Sequence, residues 1–222
     1  MYKRQLIRGE VGTGKDFAMR AIANAKMWRS RPLEILDCST MRDSLIDAAL
    51  FGSQTPSHRT RPGLVEKAEN GIVYLDSMGL IGQPLQVKLL KFLTDGTYSR
   101  CGETKVRRSG ARIIASTSGD LETRLRDGII RPDFYYRISV FTVNIPPLRQ
   151  RRRDIPQLAK FFLQKHAALR GKNITAITPA AMNMLTVGTS WLTKAKSSLP
   201  PPGLPPVRAA MSIAPFPSSS VI

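Results

Sequence analysis

An α/β fold is expected from this sequence, with five parallel strands in one sheet sandwiched by helices. Three observations lead there. Five short apolar runs, at residues 5–7, 33–36, 72–75, 112–115 and 141–145, are rich in Ile, Leu and Val, as strands covered on both faces are. Helical or turn-rich segments separate them, an alternation that favours parallel strands joined by helical crossovers. The first run leads into Gly9-Glu10-Val11-Gly12-Thr13-Gly14-Lys15, and a helical pattern follows at once.

Strand, glycine loop and helix together describe a phosphate-binding loop. Glycines let the backbone turn tightly and approach an anion closely. Successive N–H groups then point inward, and the positive end of the next helix adds attraction. Lys15 supplies a mobile charge for terminal phosphates. The general pattern has Ser or Thr after the lysine to hold Mg²⁺, whereas this chain has Asp16. As a bare pattern, the same residues also describe an ordinary glycine-rich turn.

The helix after the loop is expected to bury Phe17, Ala21 and Ala25, with Ala18 and Ile22 beside them. Residues 85–93 carry Leu85, Leu89, Leu90 and Leu93 on one helical face, and Pro84 suits a first turn. Residues 155–168 form another helix, with Leu158, Phe161, Phe162 and Lys165 at spacings of three or four. Thr178-Pro179 reads as a cap and first turn for a helix through Leu185. Beyond Val187 there is no acidic residue, and seven of the 16 prolines fall from Pro200 to Pro217. Such Pro/Ser/Ala sequence cannot offset its ordering entropy, so a disordered tail is expected at 191–222.

At 222 residues the chain can hold one α/β core with a small appendage. Lys and Arg outnumber Asp and Glu by 34 to 16, a formal net charge of +18. This favours polyanions, although a solvated basic surface around a nucleotide pocket accounts for it equally. Cys38 and Cys101 lie far apart and read as free thiols, not as a zinc site or disulfide. No apolar run reaches membrane-spanning length and no signal peptide is visible, so a cytoplasmic protein is expected.

Several ordered motifs resemble those of the sigma-54-interacting AAA+ ATPases, the bacterial enhancer-binding transcription regulators. Residues 9–16 resemble GESGTGKE, whose acid after the lysine is matched by Asp16. Leu50-Phe51-Gly52 resembles ELFG, and residues 61–68 resemble RxGxFExA. Asn70-Gly71-Ile72-Val73-Tyr74-Leu75-Asp76-Ser77 resembles GGTLFLDE. Residues 85–90 match LQxKLL, residues 130–138 resemble FRxDLYYRL, and residues 146–156 resemble PPLRERxEDIP.

The resemblance implies a P-loop AAA+ domain over residues 1–170, the start of a truncated helical lid over 171–190, and the tail. It implies that Gly9, Glu10, Val11, Gly12, Thr13, Gly14, Lys15 and Asp16 cradle ATP, and that Asp76 holds Mg²⁺ directly or through water. Arg131 and Arg137 become candidate arginine fingers for a neighbouring subunit in a ring of identical or homologous subunits.

Departures from the family pattern bear on activity. Ser77 stands where the family has its catalytic Glu, and Ser118 where it has its sensor Asn. A serine hydroxyl is no useful base near neutral pH. Residues 53–60 replace GAFTGA, the loop that contacts sigma-54, by a shorter polar segment containing His58. Trp191 stands alone where WPGNVREL is usual, both ends look cut, and no helix-turn-helix follows. The expected function is therefore an ATP-binding AAA+ module that hydrolyses poorly and does not itself activate sigma-54 polymerase. The alternatives are a regulatory or decoy subunit in rings of intact homologues, a basic nucleic-acid-binding remnant, or the product of a decaying gene.

Overall fold

The computed structural model describes residues 4–54 and 60–188. The five apolar runs are strands β1 (Arg4–Arg8), β2 (Leu33–Asp37), β3 (Ile72–Asp76), β4 (Arg112–Thr117) and β5 (Thr142–Asn144). They form one all-parallel sheet in the order β2-β3-β4-β1-β5. The helices are α1 (Lys15–Ala23), α2 (Asp43–Phe51), α3 (Leu64–Lys67), α4 (Gln83–Asp95), α5 (Leu121–Arg126), α6 (Pro132–Ile138), α7 (Ile155–Leu169) and α8 (Pro179–Gly188). The expected fold is the observed one. The tail, Trp191 and His58 lie outside the described residues.

The chain divides into two units, Met1–Pro147 and Leu148–Ile222. In the first, the two-residue period of each strand sorts side chains between two cores. Leu6, Val73, Leu75, Ile113 and Ala115 face a large cluster with Leu50 and Phe51 of α2, Leu89 and Phe92 of α4, and Phe134 and Ile138 of α6. Ile7, Ile72, Tyr74 and Ile114 point the other way, onto Met19 and Ala23 of α1.

The expected face of α1 is wrong. Phe17 is 70% exposed and Ala21 is exposed, and Ala25 lies past the helix end. Met19 and Ala23 fill the inner face instead. The apolar residues wrap around this short helix, so spacing alone leaves two faces open, and the direction in which the glycine loop launches α1 selects between them.

Two glycines shape the hairpin between Gly52–Gln54 and Thr60–Pro62. Gly52 sits at φ +86°, and a Cβ on Gly63 would lie 2.3 Å from Gly52 N and 2.5 Å from Leu50 O. Nothing there can yield, which accounts for a glycine in each of the two sequence motifs that meet at this point.

Gln86 is fully buried in the first turns of α4. Its amide donates to Ile81 O at 3.0 Å and Ile129 O at 2.9 Å, and its Oε1 accepts from Arg131 N at 2.9 Å. It therefore latches the segment that leads into α6.

Glu66 of α3 accepts two bonds from Arg100, at 2.8 and 2.6 Å, with side chains only 21% and 10% exposed. The Arg100 hydrogen bonds hold the Glu66 carboxyl below its ordinary 4.5. A depressed acid contributes stability above its unfolded-state pKa and loses it as pH falls through the folded value. Glu66→Gln should therefore cost about 1–2 kcal/mol at pH 7. Thermal melts should show wild type and variant converging as pH drops below 4.5.

In the second unit, Thr178 Oγ1 accepts from Ala181 N at 3.3 Å and caps α8, as expected. Here α7 and α8 contact each other. Phe161 and Phe162 of α7 meet edge to face at 5.4 Å and are each about half exposed. Among the described residues no helix is long and apolar enough to cross a membrane.

Candidate nucleotide site

The glycine loop leaves the carboxyl end of β1, the edge at which open α/β sheets bind ligands. Arg8 is in register with Thr117 of β4 and Asn144 of β5. Gly9 N donates to Thr117 O at 3.2 Å. A Cβ on Gly9 would lie 2.6 Å from Thr13 Oγ1 and 2.8 Å from Ile145 O, so only glycine fits. Gly12 and Gly14 have φ of +82° and +92°. Thr13 is buried beneath them, and its Oγ1 donates to Glu10 O at 2.8 Å. Val11 projects outward at 86% exposure.

Gly14 caps α1 without a side-chain acceptor. The first-turn N–H groups of α1 are thus left without a side-chain cap, as an anion site requires. Lys15 folds back over the loop, its Nζ donating to Gly9 O at 3.1 Å and Glu10 O at 3.2 Å. This ammonium sits at the rim, within reach of any group that the loop holds.

Asp76 ends β3, beside Ser116 of β4. Its Oδ1 accepts from Ser77 N at 2.9 Å and, in a very short contact, from Ser116 Oγ. Both bonds fall on Oδ1, which leaves Oδ2 for a cation or its water. Tyr74 Oη donates its one proton to Asp16 Oδ1 at 3.0 Å and lies 3.4 Å from Asp76 Oδ1. Burial, then the carboxylates of Asp76 and Asp16, push the Tyr74 phenol well above its ordinary value. Desolvation likewise pushes the buried Cys38 thiol up to about 12, so it is inert.

These residues fit a nucleotide with Mg²⁺. The loop packs so closely on Thr13 and Ile145 that its first position admits only glycine. Asp76 and Asp16 supply two hard oxygen donors on one side. Mg²⁺ takes one or two protein carboxylates beside phosphate oxygens and water.

Ser77 lies next to Asp76 in the left-handed region, at φ +57°. Ser118 is exposed just beyond β4. Two acids at the start of α5, Asp120 and Glu122, are both engaged. Asp120 caps α5, accepting from Glu122 N at 3.0 Å and from Thr123 Oγ1 at 2.6 Å, and these bonds lower it to about 2. Glu122 is gripped by Arg8 through two bonds of 2.5 Å and accepts from Tyr135 Oη at 2.9 Å. The Arg8 bonds lower its pKa. Carboxylates held this low are weak bases.

Arg131 forms a two-bond pair with Asp133, at 3.1 and 2.7 Å, on the surface. Arg137 reaches Thr94 O at 3.4 Å, and its Nε is buried with no partner among the described residues. It also lies close enough to Arg4, the first residue of β1, to help lower that arginine's pKa, after burial. Arg4 and Arg8 are separated by roughly 13 Å along the strand. Arg137 therefore sits at the sheet edge opposite its own glycine loop.

Comparison with known proteins is decisive for the family. A sigma-54 interaction domain model matches residues 2–144, and an AAA+ ATPase lid domain model matches residues 149–191. The chain belongs to the sigma-54 interaction family.

As such it is an AAA+ domain of the sigma-54 type of transcriptional regulator. Among its relatives, the transcriptional regulatory protein ZraR of Klebsiella oxytoca is 39% identical over 184 residues, covering 81% of this chain and 42% of that protein. The Nif-specific regulatory protein of Sinorhizobium fredii is 39% identical over 185 residues, covering 82% and 31%. This sigma-54 interaction chain thus spans less than half the length of either relative. Among solved structures, NtrX from Brucella abortus in complex with ADP superposes with a TM-score of 0.76 at 34% identity, covering 82% of this chain and 41% of that one. The complex of the same protein with ATP gives 0.76 at 29% identity, covering 97% and 52%.

Tyr74 and Gln86 are the residues whose roles sequence reasoning did not single out. Tyr74 carried one signal, a hydroxyl where the family motif has Phe. Gln86 stood within a matched motif whose purpose only its three buried hydrogen bonds reveal.

Proposed function

We propose that this chain binds ATP with Mg²⁺ at residues 9–16 and Asp76, and hydrolyses it slowly. Bound ATP with Mg²⁺ supplies the transferable phosphoryl group and neutralises part of its charge. The loop N–H groups and Lys15 hold and orient the phosphates, Asp16 and Asp76 face the cation, and Ser77 leaves the attacking water without a base. The observation that carries the reading is the glycine loop itself, with its excluded Cβ at Gly9, two left-handed glycines and open α1 terminus above Asp76. The ADP and ATP complexes of NtrX support the same ligand.

The place of Arg137, across the sheet from its own loop, favours a ring subunit that lends Arg131 and Arg137 to a neighbour's phosphate. This supports the reading of a regulatory subunit that joins rings of intact homologues without firing well. We assign 148–188 to the lid of the same module. The polar segment around residues 53–60 supports a subunit that does not by itself open sigma-54 promoters, and no DNA-recognition element is assigned.

Calorimetry with ADP and Mg²⁺ tests the binding, with a single site of micromolar Kd expected. Phosphate release tests the hydrolysis, and a Lys15-dependent turnover near one per second would overturn the claim that it is slow.

A further inference from the structure

Asp16 is an exposed side chain in the first turn of α1, and such side chains ordinarily sample solvent. Here it is tied down. Tyr74 is 1% exposed, held by the core beneath α1, and only its hydroxyl reaches the site. That hydroxyl lies 3.0 Å from Asp16 Oδ1 and 3.4 Å from Asp76 Oδ1. The one hydroxyl proton goes to Asp16, the shorter contact, so a rigid aromatic ring fixes Asp16 beside Asp76, 60 positions away in sequence. A phenylalanine packs equally well but leaves Asp16 untethered, and the matched family motif has phenylalanine at this position.

We propose that Tyr74 is a positioning residue that straps Asp16 against Asp76, making nucleotide uptake depend on a divalent cation. This rests on the nucleotide reading above. Without a cation, the strapped pair presents two negative charges to an incoming diphosphate or triphosphate and repels it. With the cation bound, the same pair becomes favourable, because both carboxylates face the positive ion. Releasing Asp16 weakens both effects, so the ratio of cation-free Kd to cation-bound Kd must shrink. At about 12 Å, and at the effective dielectric of a protein surface, removing one charge is worth about tenfold in affinity.

The test is calorimetry of the full chain with ADP, once with Mg²⁺ and once with EDTA, for wild type, Tyr74→Phe, Asp16→Asn and the double variant. We expect Asp16→Asn, which removes the charge, to reduce the Kd ratio about tenfold. Tyr74→Phe, which frees Asp16 but leaves its charge, should reduce the ratio severalfold, and the double variant should show no loss beyond that of Asp16→Asn, because the hydroxyl acts through Asp16. Asp16→Asn alters an exposed side chain and so reports even if the buried variant folds poorly. A Tyr74→Phe protein that binds ADP with an unchanged ratio overturns the strap, as does an effect that adds fully to that of Asp16→Asn. Wild-type protein that takes up no ADP in either buffer is a different result, because it removes the nucleotide site itself.

Discussion

Replacing Ser77 by glutamate should raise steady-state phosphate release by about 100-fold, the lower part of the range that one positioned general base supplies. The expectation rests on what surrounds the position. Ser77 follows Asp76 directly and donates its backbone N–H to the Asp76 carboxylate, so a side chain at 77 begins beside the proposed cation ligand. Its hydroxyl has no means of accepting a proton at pH 7. Two acids that might substitute are occupied, Asp120 by the α5 N-terminus and Glu122 by Arg8 and Tyr135. The backbone at 77 is left-handed. Serine and glutamate both carry a Cβ there, so the exchange adds little strain. The gain stays below the full range because Ser118 is also altered, and Ser118→Asn in the Ser77→Glu background should add to it. An assay at saturating ATP decides the point. If Ser77→Glu binds nucleotide as wild type does and releases phosphate no faster, the missing base is not what limits this chain.

Lys15→Ala should weaken ADP binding by about 100-fold or more while leaving the melting temperature nearly unchanged. A charge-assisted hydrogen bond contributes about 1.5–3 kcal/mol, and one ammonium can give two to terminal phosphates. The half-buried lysine meets only carbonyls of its own loop, Gly9 and Glu10, and contributes nothing to either core. Its loss therefore falls on binding, not on folding. Lys15→Arg should fail to restore affinity, because a planar guanidinium cannot occupy the place of a compact ammonium against a tight loop. Equal ADP affinity in wild type and Lys15→Ala would place any bound nucleotide elsewhere on the molecule.

Much of the fold was legible before any coordinates. Residues 5–7, 33–36, 72–75, 112–115 and 141–145 all became sheet strands, because a strand buried on both faces has to be apolar throughout and no other short element carries that texture. The glycine loop was legible for a related reason. Positive φ at Gly12 and Gly14, and the missing Cβ at Gly9, are constraints on single residues that local composition can express. Asp76 was singled out through the family resemblance, and the structure puts it at the end of β3.

Other features depended on contacts between distant segments. The inner face of α1 is set by Met19 and Ala23, and Phe17 turns outward, because the apolar residues encircle the helix and only docking on β1, β3 and β4 chooses a side. The commitment of Glu122 needs Arg8, 114 residues away, and the strap on Asp16 needs Tyr74, 58 away. Periodicity says which side chains share a face of one strand or helix. Which faces meet is decided by strand order and register, and those place Ser116 beside Asp76 and Arg137 on the far edge from the loop. Amino-acid order therefore specified the glycine loop and the serine that follows Asp76, whereas the engagement of Asp16, Asp120 and Glu122 emerged only once the sheet had closed around them.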